Sequence, residues 1–266
     1  MQKEYLEYYS NYNEDQRLLN QNITRIEFDT TIHQLSPYIK NAKSLTELGA
    51  ATGRYSLFYA QQGIEVTAVE LVPELVKQLK EKSDEIKANI KIYEANATNV
   101  KFIEDASQDV VLILGPLYHI QNPLERESVL REANRILKPN GTVAIAYISR
   151  FFVAGLLAKM SGNLVTPEIL TELNKTGIIT SPEIYTFFRT GYFATPSEIE
   201  KLSVQCGFTV DKHVATDGFA RYISDQINEL SESQYQSWLQ HHISTCAEPS
   251  LLGASNHGLV IAHKCG

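Results

Sequence analysis

The stretch LTELGAATGRYS, residues 45–56, decides how this chain is read. It opens as a buried strand and breaks into a loop bounded by glycines, Gly49-Ala50-Ala51-Thr52-Gly53. A helical pattern starts at Tyr55. A strand feeding a glycine turn and a helix leaves unpaired backbone N–H groups at the mouth of a parallel sheet, within reach of a ligand. The next apolar run, Val66-Thr67-Ala68-Val69, closes on Glu70. An acid at the end of the second strand is the usual partner of two ribose hydroxyls. The pattern therefore points to a ligand that carries a nucleoside.

Two familiar nucleotide patterns fail here. The dinucleotide fingerprint needs glycine where Ala51 and Arg54 stand, because the backbone must approach a pyrophosphate closely. The Walker pattern needs Lys-Ser or Lys-Thr after Gly53, and neither follows. What remains is E-x-G-x-x-x-G, Glu47 to Gly53. It suits a ligand without phosphate, such as an amino-acid-bearing nucleoside.

Outward from this motif, strand and helix patterns alternate at 45–49, 55–62, 66–70, 73–82, 90–93, 109–114, 124–137 and 142–148. Strands two, four and five carry the apolar runs of a sheet covered on both faces. Residues 150–193 lose that rhythm and are rich in phenylalanine and tyrosine, so they read as a helical insertion over the ligand end. Thr195-Pro196-Ser197-Glu198 carries the N-cap, first-position proline and capping-box acid of a new helix. Strands six and seven are expected at 208–214 and 258–264, with a helical excursion at 219–246 between them. Thr30 or Thr31 is expected to cap a helix that follows Glu27.

Composition sets bounds. The chain has 266 residues and a net charge of −7. That length suffices for one domain with a full core, and the acidic balance opposes a phosphate backbone. Cys206, Cys246 and Cys265 form no C-x-x-C pair, which argues against a disulfide framework or a metal site and fits the reducing cytoplasm. The start, MQKEYLEYYSNYNEDQR, has no apolar core for a secretory signal, and no run is long enough for a membrane span.

These blocks together resemble the class I S-adenosylmethionine-dependent methyltransferases. The resemblance runs over roughly residues 40–150, through ELGAATG (47–53), Glu70, YEANAT (93–98), SQDVVLILGPLYHI (107–120) and LREANRILKPNGTVAIAYI (130–148). Two positions depart from the family pattern: Ala51 replaces a common second glycine, and Asn96 replaces a common aspartate. The resemblance implies a Rossmann-like, doubly wound α/β fold with seven mostly parallel strands, the last two antiparallel. It implies one domain, 1–266. A helical cover spans 1–40, a cofactor-binding core 41–149, an insertion or lid 150–193, and the C-terminal part of the sheet 194–266.

It also implies a site. S-adenosylmethionine, with S-adenosylhomocysteine as product, would be held by Glu47, Gly49, Ala50, Ala51, Gly53 and Arg54 in the loop. Glu70 and Leu71 would meet the ribose, and Asn96 and Ala97 the adenine. Leu114 and Gly115 would lie by the methionine part. Tyr118, His119 and His257 are the candidate catalytic groups, and Tyr147, Tyr185 and Phe188 the candidate substrate contacts. His241 and His242 read as surface residues. Tyr8, Tyr9, Tyr12 and Arg17 are candidates to fold over the cofactor.

The function expected is methyl transfer to a small-molecule acceptor, driven mainly by proximity and a dry site. No metal, nucleic acid or membrane is implied. The competing readings are a non-catalytic cofactor-binding sensor or subunit, a methyltransferase of protein or RNA, and an NAD-dependent oxidoreductase. The last is opposed at Ala51 and Arg54.

Overall fold

The computed structural model describes residues 21–265 apart from Ser161 and Pro182, and omits the side chains of Thr186 and Phe187. The expectation placed on Tyr8, Tyr9, Tyr12 and Arg17 lies outside the described residues. Helix α1 (Asn22–Ile39) leads into β1 (Ser44–Leu48), α2 (Arg54–Gln61), β2 (Glu65–Glu70), α3 (Pro73–Ile86), β3 (Ile90–Glu94) and β4 (Gln108–Ile113). Then come α4 (Pro123–Ile136), β5 (Leu137–Ile148), α5 (Arg150–Met160), α6 (Pro167–Thr176), α7 (Thr186–Thr190) and α8 (Pro196–Gln205). The chain closes with β6 (Phe208–Ala215), α9 (Ser224–Asn228), α10 (Glu232–Thr245), α11 (Pro249–Leu252) and β7 (His257–Lys264).

The seven strands form one sheet in the order β3-β2-β1-β4-β5-β7-β6. β7 runs antiparallel to both of its neighbours, and the other pairs are parallel. The reversal of β7 has a functional consequence. Its first residue, His257, pairs with Ile148, the last residue of β5, so β7 starts at the ligand end of the sheet.

Alternation along β4 builds both core layers. Val110 and Leu112 pack with Phe28, Leu35 and Tyr59 of α1 and α2 on one face. Val111 and Ile113 pack with Val129, Leu130 and Ala133 of α4 on the other. Residues two apart share a face, so a six-residue strand feeds two layers. Among the described residues no helix is long and apolar enough to cross a membrane.

Three local expectations are corrected. Thr30 and Thr31 cap nothing, because α1 runs unbroken from Asn22; the Thr31 hydroxyl instead donates to the Glu27 carbonyl at 2.7 Å. The Lys138-Pro139-Asn140-Gly141 turn lies within β5: its pairing with β4 steps from Leu137 to Thr142 and leaves these four residues as an excursion. His242 is buried, and its Nε2 lies 3.1 Å from the Thr216 carbonyl. The Thr195–Glu198 capping box forms as expected.

Tyr147 of β5 sits opposite Gly258 of β7, and a Cβ at Gly258 would lie 2.3 Å from the Tyr147 ring. That ring is core, with its hydroxyl 2.9 Å from His213 Nε2. Gly258→Ala should therefore cost about 1–3 kcal/mol by overpacking. Thermal unfolding reads this; an unchanged Tm would mean the ring can shift without strain.

Candidate active site

The glycine loop is built by the residues it joins. The N–H groups of Gly49 and Ala50 both donate to the Val69 carbonyl, at 2.8 and 3.0 Å, which ties the end of β1 to the end of β2. Gly49 has φ +78°, and a Cβ there would meet Pro116 Cδ at 2.7 Å. Glycine is needed for both reasons. Ala51 is also left-handed, at φ 47°. This conformation costs an L-residue about 1–2 kcal/mol, and Glu70 holds it in place: the Ala51 N–H donates to Glu70 Oε2 at 2.8 Å.

Glu70 is the hub. Its Oε1 accepts from the Leu71 and Val72 N–H groups, each at 2.8 Å, so three backbone donors fix a carboxylate that is 3 % exposed. Its aim was set by the chain before any ligand arrives, which removes an ordering cost from binding.

Glu47 has a different task. Its Oε2 accepts from the Ser56 N–H at 2.9 Å and from the Ser56 hydroxyl, at the first turn of α2. It thus fastens the helix that follows the loop. Burial pushes its carboxyl up to about 8 despite the Ser56 bonds, and the nearby Glu70 charge adds to the rise. A group whose folded value exceeds its unfolded one keeps its proton longer when folded. Its stabilising contribution is full below the ordinary value of 4.5 and is lost as pH rises towards about 8. Glu47→Gln should remove that loss, so the Tm of the variant should fall less than the parent's between those limits. Parallel Tm curves would mean the carboxyl ionises normally.

A cavity of about 380 Å³ opens at the C-terminal ends of β1, β2 and β4. This size is typical of small-molecule sites. Gly49, Ala51, Glu70, Leu71, Asn96 and Ala97 line one part of it, with Leu75 and Ala95. Gly115, Pro116, Tyr118 and His119 line the next, and Gln121, Asn122, Glu125 and Thr190 the far end. Asn96 Oδ1 already accepts from the Thr98 N–H and hydroxyl, at 3.0 and 2.9 Å. Its NH2 is the group left to meet a nucleobase. The Tyr118 hydroxyl donates to the Leu114 carbonyl at 3.0 Å, closing the loop after β4 on itself.

Several expected site residues lie elsewhere. Glu47, Ala50, Gly53, Arg54 and Leu114 support the loops without lining the cavity. Arg54 stacks its guanidinium on Phe28, 4.4 Å from the ring centroid, and so braces α2 against α1. Tyr147 and Phe188 are each 1 % exposed and belong to the core, which corrects their assignment as substrate contacts. Tyr185 is exposed and off the cavity wall. The insertion reaches the cavity through Thr190 instead. Its position is set by Gln121, whose NH2 donates to the Arg189 and Gly191 carbonyls at 2.7 and 3.1 Å.

The polar far end was not singled out from the sequence. Asn122-Pro123 does signal a helix start, and Asn122 does cap α4. Nothing in the spacing says that this cap faces the cavity.

A glycine loop at the first strand, a buried acid at the end of the second and a reversed seventh strand define a class I methyltransferase fold. Residues 46–145 match the methyltransferase domain family. The chain thus carries a methyltransferase domain over those residues. Among curated relatives, the ubiquinone biosynthesis O-methyltransferase of Xanthomonas campestris pv. campestris (strain B100) is 28% identical over 119 residues, covering 45% of this chain and 48% of that protein. The chain thus spans about half the length of that relative.

A solved S-adenosylmethionine-dependent methyltransferase from Methanosarcina mazei superposes with a TM-score of 0.59 at 19% identity, over 88% of this chain and 97% of that one. The 1,6-didemethyltoxoflavin-N1-methyltransferase of Burkholderia thailandensis, solved with S-adenosylhomocysteine bound, also gives 0.59. Its identity is 14%, over 99% of this chain and 87% of that one. At these identities the structures speak for the fold.

Proposed function

We propose that this protein methylates a small-molecule acceptor, with S-adenosylmethionine as donor. The observation that carries this reading is the Glu70 carboxylate, buried at the cavity wall and held by the loop that Gly49 and Ala51 form. A carboxylate so fixed suits a ribose diol, and the neighbouring Leu71, Leu75, Ala95 and Ala97 suit a flat apolar base. The cofactor supplies a methyl group already activated on a positive sulfur.

The protein's own work is to bind, to orient and to exclude water. Tyr118, His119 and Gln121 line the cavity beyond Glu70 and are assigned here to the acceptor; holding donor and acceptor in line supplies most of the acceleration. Residues 150–193 act as the cover over that end; Thr190 in the cavity wall supports this. The curated relatives methylate oxygen by their names, and the Burkholderia enzyme methylates nitrogen. The net charge of −7 favours a small acceptor over RNA. The thiols of Cys206 and Cys246, unpaired and buried, suit the cytoplasm.

S-adenosylmethionine and S-adenosylhomocysteine should raise the Tm by ligand linkage, whereas NAD should leave it unchanged. A shift with NAD alone sinks the reading. Formation of S-adenosylhomocysteine with a panel of phenols and amines then separates an enzyme from a cofactor sensor.

A further inference from the structure

Beside the cavity lies a second polar cluster. His257 Nδ1 stands 3.0 Å from Asp217 Oδ2 and 3.2 Å from Glu27 Oε2. The His257 backbone N–H donates to Asp217 Oδ1 at 3.0 Å, and the Ser255 hydroxyl donates to the same oxygen at 2.6 Å. Arg221 completes the set, with Nε donating to Asp217 Oδ2 at 3.1 Å and Nη2 to Glu27 Oε2 at 3.3 Å. Glu27, Asp217 and His257 are all buried.

The geometry points to His257 as the general base for a hydroxyl acceptor, with Asp217 as its positioning residue. This inference rests on the methyl-transfer reading and names the acceptor class for it. Two carboxylates and the Asn256 amide, its Nδ2 at 3.1 Å, surround Nδ1; the carboxylates place the proton on that nitrogen and leave Nε2 as the basic atom. Among the described residues Nε2 makes no hydrogen bond. His257 is buried and is not itself among the residues that line the cavity; its ring lies 6.4 Å, centroid to centroid, from Tyr118, which is. β7 begins at the ligand end of the sheet because it runs antiparallel to β5.

Burial alone would raise the Asp217 carboxyl, but His257, Arg221 and Ser255 hold it well below the usual carboxylate range, so it stays ionised. The other groups facing the cluster are His242, Tyr118 and Tyr222. The same three side chains could hold a cation, since their ligand atoms lie within 4.8 Å of one another. Arg221 already donates to both carboxylates and offsets one of their two charges, which weakens the site for a second cation.

In the step proposed, the acceptor oxygen forms the new bond to the methyl carbon, and the carbon–sulfur pair returns to sulfur. The hydroxyl proton passes to His257 Nε2, which later releases it to water. A neutral amine needs no such base before attack, so the cluster selects phenols and other weakly acidic hydroxyls.

The test uses the full chain loaded with S-adenosylhomocysteine and 4-nitrophenol as the probe, whose anion is yellow. Bound probe should ionise about tenfold more readily than in water, a shift of about one pH unit. His257→Gln should abolish the shift while calorimetry shows unchanged S-adenosylhomocysteine affinity. Nitrogen-15 NMR of the parent protein should show the proton on Nδ1 of His257, a readout independent of folding of the variant. The proposal is overturned if the probe fails to bind, if it ionises as in water, or if the proton sits on Nε2. A rise in Tm with zinc ions alone, absent in His257→Gln, would also overturn it. Failure of S-adenosylhomocysteine itself to bind would instead remove the methyl-transfer reading.

Discussion

Replacing Glu70 with alanine should lower affinity for S-adenosylmethionine about 100-fold or more. Hydrogen bonds to a charged group are worth about 1.5–3 kcal/mol each, and a ribose diol would offer two donors to this carboxylate. A second loss adds to the first. Glu70 also holds the Ala51, Leu71 and Val72 N–H groups, so its removal frees the left-handed Ala51 to relax. Glu70→Gln keeps the shape and one acceptor oxygen, and should lie between the parent and alanine. Titration calorimetry on all three decides the matter. Equal affinities would reduce Glu70 to a structural tie within the loop.

Arg150→Ala should lower the Tm by roughly 6–12 °C. The guanidinium is 4 % exposed and spans three parts of the chain. Nε donates to the Phe193 carbonyl at 3.0 Å, Nη1 to the Asn174 carbonyl at 2.8 Å and Nη2 to Glu198 Oε2 at 2.6 Å. Glu198 is 39 % exposed, so its ion pair counts for little after screening. Most of the loss comes from two carbonyls left without their donor, together roughly 3 kcal/mol. At about 2–4 °C per kcal/mol for a chain of this size, the stated range follows.

Because those partners pin both ends of the 150–193 segment, hydrogen exchange there should quicken in the variant while the sheet stays protected. Cofactor affinity should hold, because Arg150 does not line the cavity. Uniform exchange across the whole chain would mean the segment is an inseparable part of the core, and the cover assigned to it would fail. The buried cluster of Val153, Leu157, Leu173, Phe188 and Phe193 is what any opening would have to move as a unit.

The antiparallel end of the sheet was implied only by the family resemblance, but the strand–helix alternation, the glycine loop and the acid at the second strand were legible in the residues. These are local patterns. A two-residue alternation, a strand–glycine–helix junction and a capping box are written in neighbouring residues. That is why Gly49, Ala51, Glu70 and Asn96, which line one cavity, could be grouped from local patterns. Tertiary structure alone decided which side chains face the cavity. Tyr147 is core because the glycine opposite it, Gly258, lies on a strand over a hundred residues away in the chain. Phe188 is core because the insertion needs its own apolar centre.

The cluster of Glu27, Asp217, Arg221 and His257 has no sequence signature at all. Its members come from α1, the turn after β6 and the start of β7, and only the antiparallel return of β7 brings them to one point. Charges gathered from distant segments are fixed by packing and the hydrogen bonds burial demands, and no spacing along the chain encodes that.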